Sequence, residues 1–202
     1  IIYFDEILVD VGLNYTALAP HVSNIKIVLL THKHGDHFQL TAVSLLSRER
    51  PDLVWIIPRH LVDEIKELKL RNVLIVENSK KYRIGKYKIE PFMLYHDVEN
   101  FGYKLADETG YKIVHATDTV KIDHIEAKDF DLYAIEHNYD DDVFDRIKEK
   151  IEAGLFAHEF RSLDTHLSFR KAQDWIDSQK KETSEVIRLH MSSHYVKGEN
   201  NE

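Results

Sequence analysis

NIKIVLLTHKHGDH, running from Asn24 to His37, is the stretch on which the reading of this chain turns. Its first half is a short apolar run of β-favouring residues, the pattern of a buried strand. Its second half is a polar loop carrying three histidines and an aspartate. A strand feeding such a loop is where sheets covered by helices build their sites. His32 and His34, two apart on extended backbone, point to one side. Gly35 is expected to let the chain turn, so that Asp36 and His37 face a neighbouring point. Imidazole and carboxylate are ligands for zinc, manganese or iron, and this arrangement suits two metals better than one. H-x-H-x-D-H would arise in roughly one shuffled chain in two hundred.

The rest of the chain repeats the arrangement more quietly. Apolar runs occur at Ile1–Phe4, Ile7–Val11, Ile25–Leu30, Val54–Ile57, Val73–Val76, Ile89–Tyr95, Phe101–Leu105, Tyr111–Ala116, Leu132–Ile135 and Val186–Leu189. Several end on an ionisable residue: His96, Asp118, Glu136 with His137, and His190. One such residue would be an ordinary cap or solvated group. Together they line one sheet edge with ligands, which packing does not ask for. Glu108-Thr109-Gly110 reads as a hairpin turn. Between the runs lie helical stripes: Leu61, Ile65 and Leu68; Val143, Ile147 and Ile151, stopped by Gly154; and Phe169, Ala172 and Ile176. Sheets covered by helices, an α/β architecture, follow from this order.

Composition sets the limits. The 202 residues are 43% hydrophobic, enough for one substantial core, and a single domain over 1–202 is expected. No apolar run is long enough to span a membrane. The absence of cysteine excludes disulfides and thiolate metal sites. A net charge of −8 disfavours sequence-blind coating of nucleic acid but permits a local basic track. Lys80, Lys81, Arg83, Lys86 and Lys88, interleaved with Tyr82 and Tyr87, form such a stretch. It is read first as a solvated hairpin whose lysines protect a sheet edge, and second as a hold for single strands. The sequence begins at Ile1 without Met and carries no signal-peptide pattern, so the cytoplasm is the expected compartment.

The strings THKHGDH (31–37), YHD (95–97), ATDT (116–119) and LHMS (189–192) together resemble the metallo-β-lactamase fold of binuclear hydrolases. Glu136-His137, Thr165-His166-Leu167-Ser168 and His190-Met191-Ser192-Ser193-His194-Tyr195 resemble elements of tRNase Z-like nucleases, in the small single-domain, exonuclease-like branch of bacteria and phages. The resemblance implies a four-layer αββα sandwich and a phosphodiesterase or nuclease. His32, His34 and His96 would hold one divalent metal, and Asp36, His37 and His190 the other. Asp118 would bridge them, with zinc the first expectation and manganese or iron the alternatives. It implies a catalytic set of Asp36, His166, Glu136 and His137, with His166 the proton donor to the leaving group. The implied partner is a phosphodiester, such as single-stranded or end-exposed nucleic acid. Two other readings keep the same residues: a metal-dependent acyl hydrolase acting on a thioester, lactone or lactam, and a non-catalytic metal-binding regulatory module. His21, His60, His115, His124 and His158 match no string and are read as structural or exposed.

Overall fold

A computed structural model describes residues 1–142, 149, 152 and 164–192. The expected stripe at Val143, Ile147 and Ile151, its stop at Gly154, and His158, Ser193, His194 and Tyr195 lie outside the described residues. The chain forms two compact units, Ile1–Lys80 and Lys81–Glu202.

The first unit is built on a five-stranded sheet in the order β1 (Ile2–Tyr3), β2 (Ile7–Val9), β3 (Ile27–Leu29), β4 (Val54–Pro58) and β5 (Val73–Val76). β1 pairs antiparallel with β2, and the remaining pairs are parallel. β2 and β3 are buried along their whole length, as the continuous Ile/Leu/Val runs require. Three helices follow the strands: α1 (Tyr15–Leu18), α2 (Leu40–Glu49) and α3 (Val62–Ile65), the last extended by 3-10 turns at both ends. The expected stripe survives in α3 and its flanks, where Leu61 and Ile65 are buried and Leu68 packs on the core. α2 buries Ala42, Val43 and Leu46 against Trp55, Leu30 and Phe38. Burying a valine or leucine side chain in this way contributes roughly 1.5–3 kcal/mol.

The second unit holds a six-stranded sheet in the order β11 (Glu185–Leu189), β10 (Leu132–Glu136), β9 (Lys112–Ala116), β8 (Asn100–Ala106), β7 (Tyr87–Leu94) and β6 (Tyr82–Ile84). β9, β10 and β11 are mutually parallel, while β6 to β9 form an antiparallel meander. The turn at Glu108–Gly110 is present, with Gly110 at φ 90° and the Asp107 carboxylate accepting from the Thr109 and Tyr111 amides. α4 (Phe169–Gln179) starts at Ser168, whose hydroxyl caps Lys171 N. It buries Ala172, Trp175 and Ile176 against Tyr133, Ile135, Val114 and Phe92. The Trp175 indole donates to Ile125 O at 3.1 Å. Among the described residues no helix is long and apolar enough to cross a membrane.

Because β7 is antiparallel to β8, and β8 to β9, the strands β7, β9, β10 and β11 all run the same way. The residues just past their C-terminal ends therefore share one edge of this sheet. Those residues include His96, Asp118 and His190, with Glu136 closing β10.

Candidate metal centre

In the first unit the His-rich loop leaves β3 and is anchored by a residue from the neighbouring strand. Asp10, just past β2, adopts φ 62° and donates its own amide to Leu29 O at 2.8 Å. Its carboxylate accepts from Thr31 N and from Thr31 Oγ1, each at 2.8 Å, and lies 2.7 Å from His37 Nδ1. Thr31 Oγ1 spends its one proton on Asp10, so at 3.0 Å it accepts from His32 Nδ1. Both contacts place the ring proton on Nδ1 and leave the Nε2 lone pairs of His32 and His37 as the metal-facing nitrogens. The three rings cluster, His32 lying 4.8 Å from His34 and 4.4 Å from His37 between centroids. His32 is buried, His34 and His37 less so, and Asp36 is exposed.

The turn itself differs from the expectation placed on Gly35. A Cβ at Gly35 would meet nothing within 4 Å, and Gly35 is absent from the left-handed residues. His37 N and Phe38 N both donate to His34 O, and these bonds close the turn. The glycine that matters is Gly12, where a Cβ would stand 1.6 Å from Asp36 O. Val11 and Phe38 bridge as parallel partners beside it, so only a residue without a side chain admits the loop backbone.

In the second unit one ligand-bearing atom each from Asp118, Glu136, His166 and His190 lies within 4.8 Å of the others. Asp118 and His190 both occupy left-handed backbone, at φ 55° and 50°, a conformation that costs a non-glycine residue about 1 kcal/mol or more. Asn100, buried, holds the first of these by donating to Thr117 O and Asp118 O, each at 2.8 Å. Asn138 Nδ2 lies 3.0 Å from both the carbonyl and Nδ1 of His190. The Glu136 carboxylate is buried completely. One of its oxygens accepts from Thr119 N and Leu167 N, and the other meets His166 Nδ1 at 2.6 Å and His190 Nδ1 at 3.1 Å. Asp118 Oδ1 stands 3.5 Å from His190 Nε2 and 3.6 Å from His166 Nδ1.

His96 follows β7 and donates from Nδ1 to Thr165 O at 3.0 Å, again presenting Nε2. Burial holds its pKa below the ordinary histidine value, which favours the neutral, ligating form. Its ring is 5.2 Å from that of His166, which in turn stacks on His190 at 4.9 Å.

Of the residues marked from sequence, the first unit gathers His32, His34 and His37, with Asp36 on the same loop. The second gathers His96, Asp118, Glu136, His166 and His190. His137 is not gathered with them. Successive side chains on a strand point to opposite faces, so while Glu136 joins the cluster, the His137 ring packs edge-on against Phe169 and its Nδ1 bonds to Ile135 O at 3.0 Å. Burial lowers its pKa too. Asp10, Thr31, Asn100 and Asn138 carry no role in the sequence reading. Asp10 falls inside the apolar run Ile7–Val11, so the rule of ending a run does not single it out. His60, read as structural, holds Thr31 O from Nε2 at 3.1 Å.

The donor chemistry fits a divalent metal. Neutral imidazoles oriented by carboxylate, hydroxyl or carbonyl partners, together with carboxylates and no thiolate, are what zinc, manganese or iron accept.

A family profile described as the beta-lactamase superfamily domain matches residues 6–191. No curated protein matches at the sequence level. Among solved structures, the metallo-beta-lactamase fold protein YhfI from Bacillus subtilis is similar at TM-score 0.68 and 16% identity, over 96% of this chain and 78% of its own. Human tRNase Z, short form, is similar at TM-score 0.63 and 18% identity, over 96% and 85%. A diphosphatase from the PhnP family is similar at TM-score 0.62 and 15% identity, over 95% and 71%. At these identities the likeness is one of fold.

Proposed function

The chain belongs to the beta-lactamase superfamily, with the metallo-β-lactamase fold, and from that premise we propose that it is a binuclear metal-dependent phosphodiesterase acting on nucleic acid. The observation that carries this reading is the 2.6 Å contact between His166 Nδ1 and the buried Glu136 carboxylate, beside Asp118 and His190. Departure of an alkoxide from phosphorus calls for a positioned proton donor. Hydrolysis of a thioester, lactone or lactam by the same ligands does not call for this pair.

His32, His34 and His96 would hold one metal, and Asp36, His37 and His190 the other, with Asp118 shared, as the sequence resemblance implies. When bound, such a pair of ions neutralises charge on the phosphoryl oxygens and lowers the pKa of water towards ~7. The protein supplies the rest. Glu136 accepts the Nδ1 proton of His166, fixing the tautomer and stabilising the imidazolium, so that the proton delivered to the leaving oxygen comes from Nε2. Thr119 N and Leu167 N hold the Glu136 carboxylate in place. Asp36, exposed at the tip of its loop, would take the proton of the attacking water. His137 is given no part in this step, because its ring packs on Phe169, away from Glu136 and His166.

The neighbours' names support the reading in kind, since tRNase Z and a diphosphatase both work on phosphate esters or anhydrides. The test is a side-by-side assay of the metal-loaded protein on bis-p-nitrophenyl phosphate and on a thioester. Phosphodiester turnover is expected, and His166→Ala should cut turnover of an oligonucleotide, whose alkoxide must be protonated as it leaves, far more than turnover of bis-p-nitrophenyl phosphate, whose nitrophenolate departs as the anion. Thioester turnover without phosphodiester turnover, at any loading of zinc, manganese or iron, rejects the proposal.

A further inference from the structure

At the end of the second sheet opposite His96 and Asp118, five cations surround a cavity of about 490 Å³: Lys81, Arg83, Lys88, Lys104 and Lys112, against the single carboxylate of Glu90. Strand register explains the cluster. Arg83 pairs with Lys88, Lys88 with Ala106, and Ala106 with Lys112, so three cations stand in one row across β6 to β9 with a small residue between them. Lys104 and Glu90 pair in the next row. This is the same face that α4 and the Ile122–Phe130 segment cover further along, through Phe92, Leu94, Val114 and Ala116.

Edge protection does not account for it. β6 is the edge strand, but Lys88, Lys104 and Lys112 lie on β7, β8 and β9, inside the sheet. Like charges directly opposite, as Arg83 and Lys88 are, destabilise a sheet. Glu90 offsets Lys104 at 3.5 Å and Lys81 at 3.9 Å. Arg83, Lys88 and Lys112 form no ion pair among the described residues. Lys112 Nζ instead lies 5.1 Å from the Phe130 ring centroid, an aromatic wall on the cavity. In a chain of net charge −8 this is a concentrated positive field.

We propose that this cationic face is a binding site for the phosphate backbone of a single nucleic-acid strand, remote from the reacting centre. Rows of cations on an open sheet beside an aromatic ring are the way single strands are held without sequence preference. The cavity is of small-ligand size, which suits one or two nucleotides and not a duplex. At about 3.4 Å per step, the six steps from Lys112 through β9 to Asp118 span at most ~20 Å. A strand held here reaches the ligand edge only if it is several nucleotides long. The site thus deepens the phosphodiesterase reading, and rests on it for the direction in which the strand runs.

The experiment measures anisotropy of fluorescein-labelled phosphorothioate oligodeoxythymidylate, which resists cleavage, on the metal-loaded protein over a range of salt. The Arg83→Gln/Lys88→Gln variant is expected to bind at least tenfold more weakly. Its slope of log K against log salt should fall by about 1.4, the loss of two single-strand phosphate contacts. Its turnover of bis-p-nitrophenyl phosphate should be that of the parent protein. A Lys171→Gln/Lys180→Gln variant, with the same charge removed elsewhere, should bind as the parent does. Unchanged binding by the first variant, or an equal loss in the second, overturns the site. A parent protein that binds the strand but hydrolyses no phosphodiester sinks the proposed function and leaves the site standing. One that hydrolyses bis-p-nitrophenyl phosphate but binds no strand does the reverse.

Discussion

His166 Nδ1 lies 2.6 Å from Oε1 of Glu136, a carboxylate buried completely at the end of β10. A buried carboxylate needs partners, and this one has two backbone amides and two imidazoles. Glu136→Gln keeps the shape but replaces one acceptor by an amide donor facing His166, which reverses the tautomer. A fall in kcat of roughly 10²–10⁴ is expected, and because the same oxygen faces Nδ1 of His190, metal affinity should fall as well. Steady-state kinetics alongside metal analysis checks this, and a loss confined to KM would contradict the role.

Asp10 orients His37 directly and His32 through Thr31. Asp10→Asn removes the charge that holds the Nδ1 protons, and metal affinity should fall about 10–100-fold, the usual cost of losing such a partner. Competition against a chelating dye reads it. A variant that loads as tightly as the parent would show that Asp10 only braces the loop.

Gly12, packed against the His-rich loop, and Gly35, within it, should behave oppositely. Gly12→Ala forces its Cβ into the Asp36 carbonyl and should lower stability by at least ~2 kcal/mol while disturbing the loop. Gly35→Ala meets open space and should change stability by no more than ~1 kcal/mol in either direction. Thermal melts of the two variants decide the matter.

Much of this was readable beforehand, and the places where it was not have physical reasons. The strand runs were visible because buried strands are continuous apolar stretches, and the ligand positions because they end those runs. The run Ile7–Val11 gives a strand only to Val9, since Asp10 turns left-handed to reach Thr31. α2 has no clean stripe in sequence, because Leu40 and Leu45 are exposed on it while Ala42, Val43 and Leu46 are buried. The need for a glycine at position 12 is hidden from sequence, because the close approach of Asp36 O joins positions 24 residues apart, which no local spacing reports. His137 looked like Glu136's companion only because the two are adjacent, and adjacency on a strand puts side chains on opposite faces.

Asp131 ties the start of β9 and the turn before β11 to β10, accepting from Lys112 N at 2.7 Å and from the Lys181 ammonium. The Lys181 bond, and then the Lys112 amide, hold its carboxyl below the usual carboxylate range. Below the ordinary value of about 3.8 the unfolded chain binds a proton that the native one refuses, so stability present above that pH is lost as pH falls through the depressed native value. Acid titration of unfolding should show this loss. Asp131→Asn should flatten it, at a cost near neutrality of about 1 kcal/mol, the partly exposed ion pair being screened by solvent.

Metal stoichiometry of the purified, metal-loaded chain, measured by equilibrium dialysis and elemental analysis for the parent and for Asp118→Ala, tests the central claim most directly. Two divalent ions per parent chain, falling to one or none in the variant together with phosphodiester turnover, are expected of a shared carboxylate between paired ions. Unchanged stoichiometry and unchanged turnover in Asp118→Ala, or a parent chain that binds no ion at all, would contradict it.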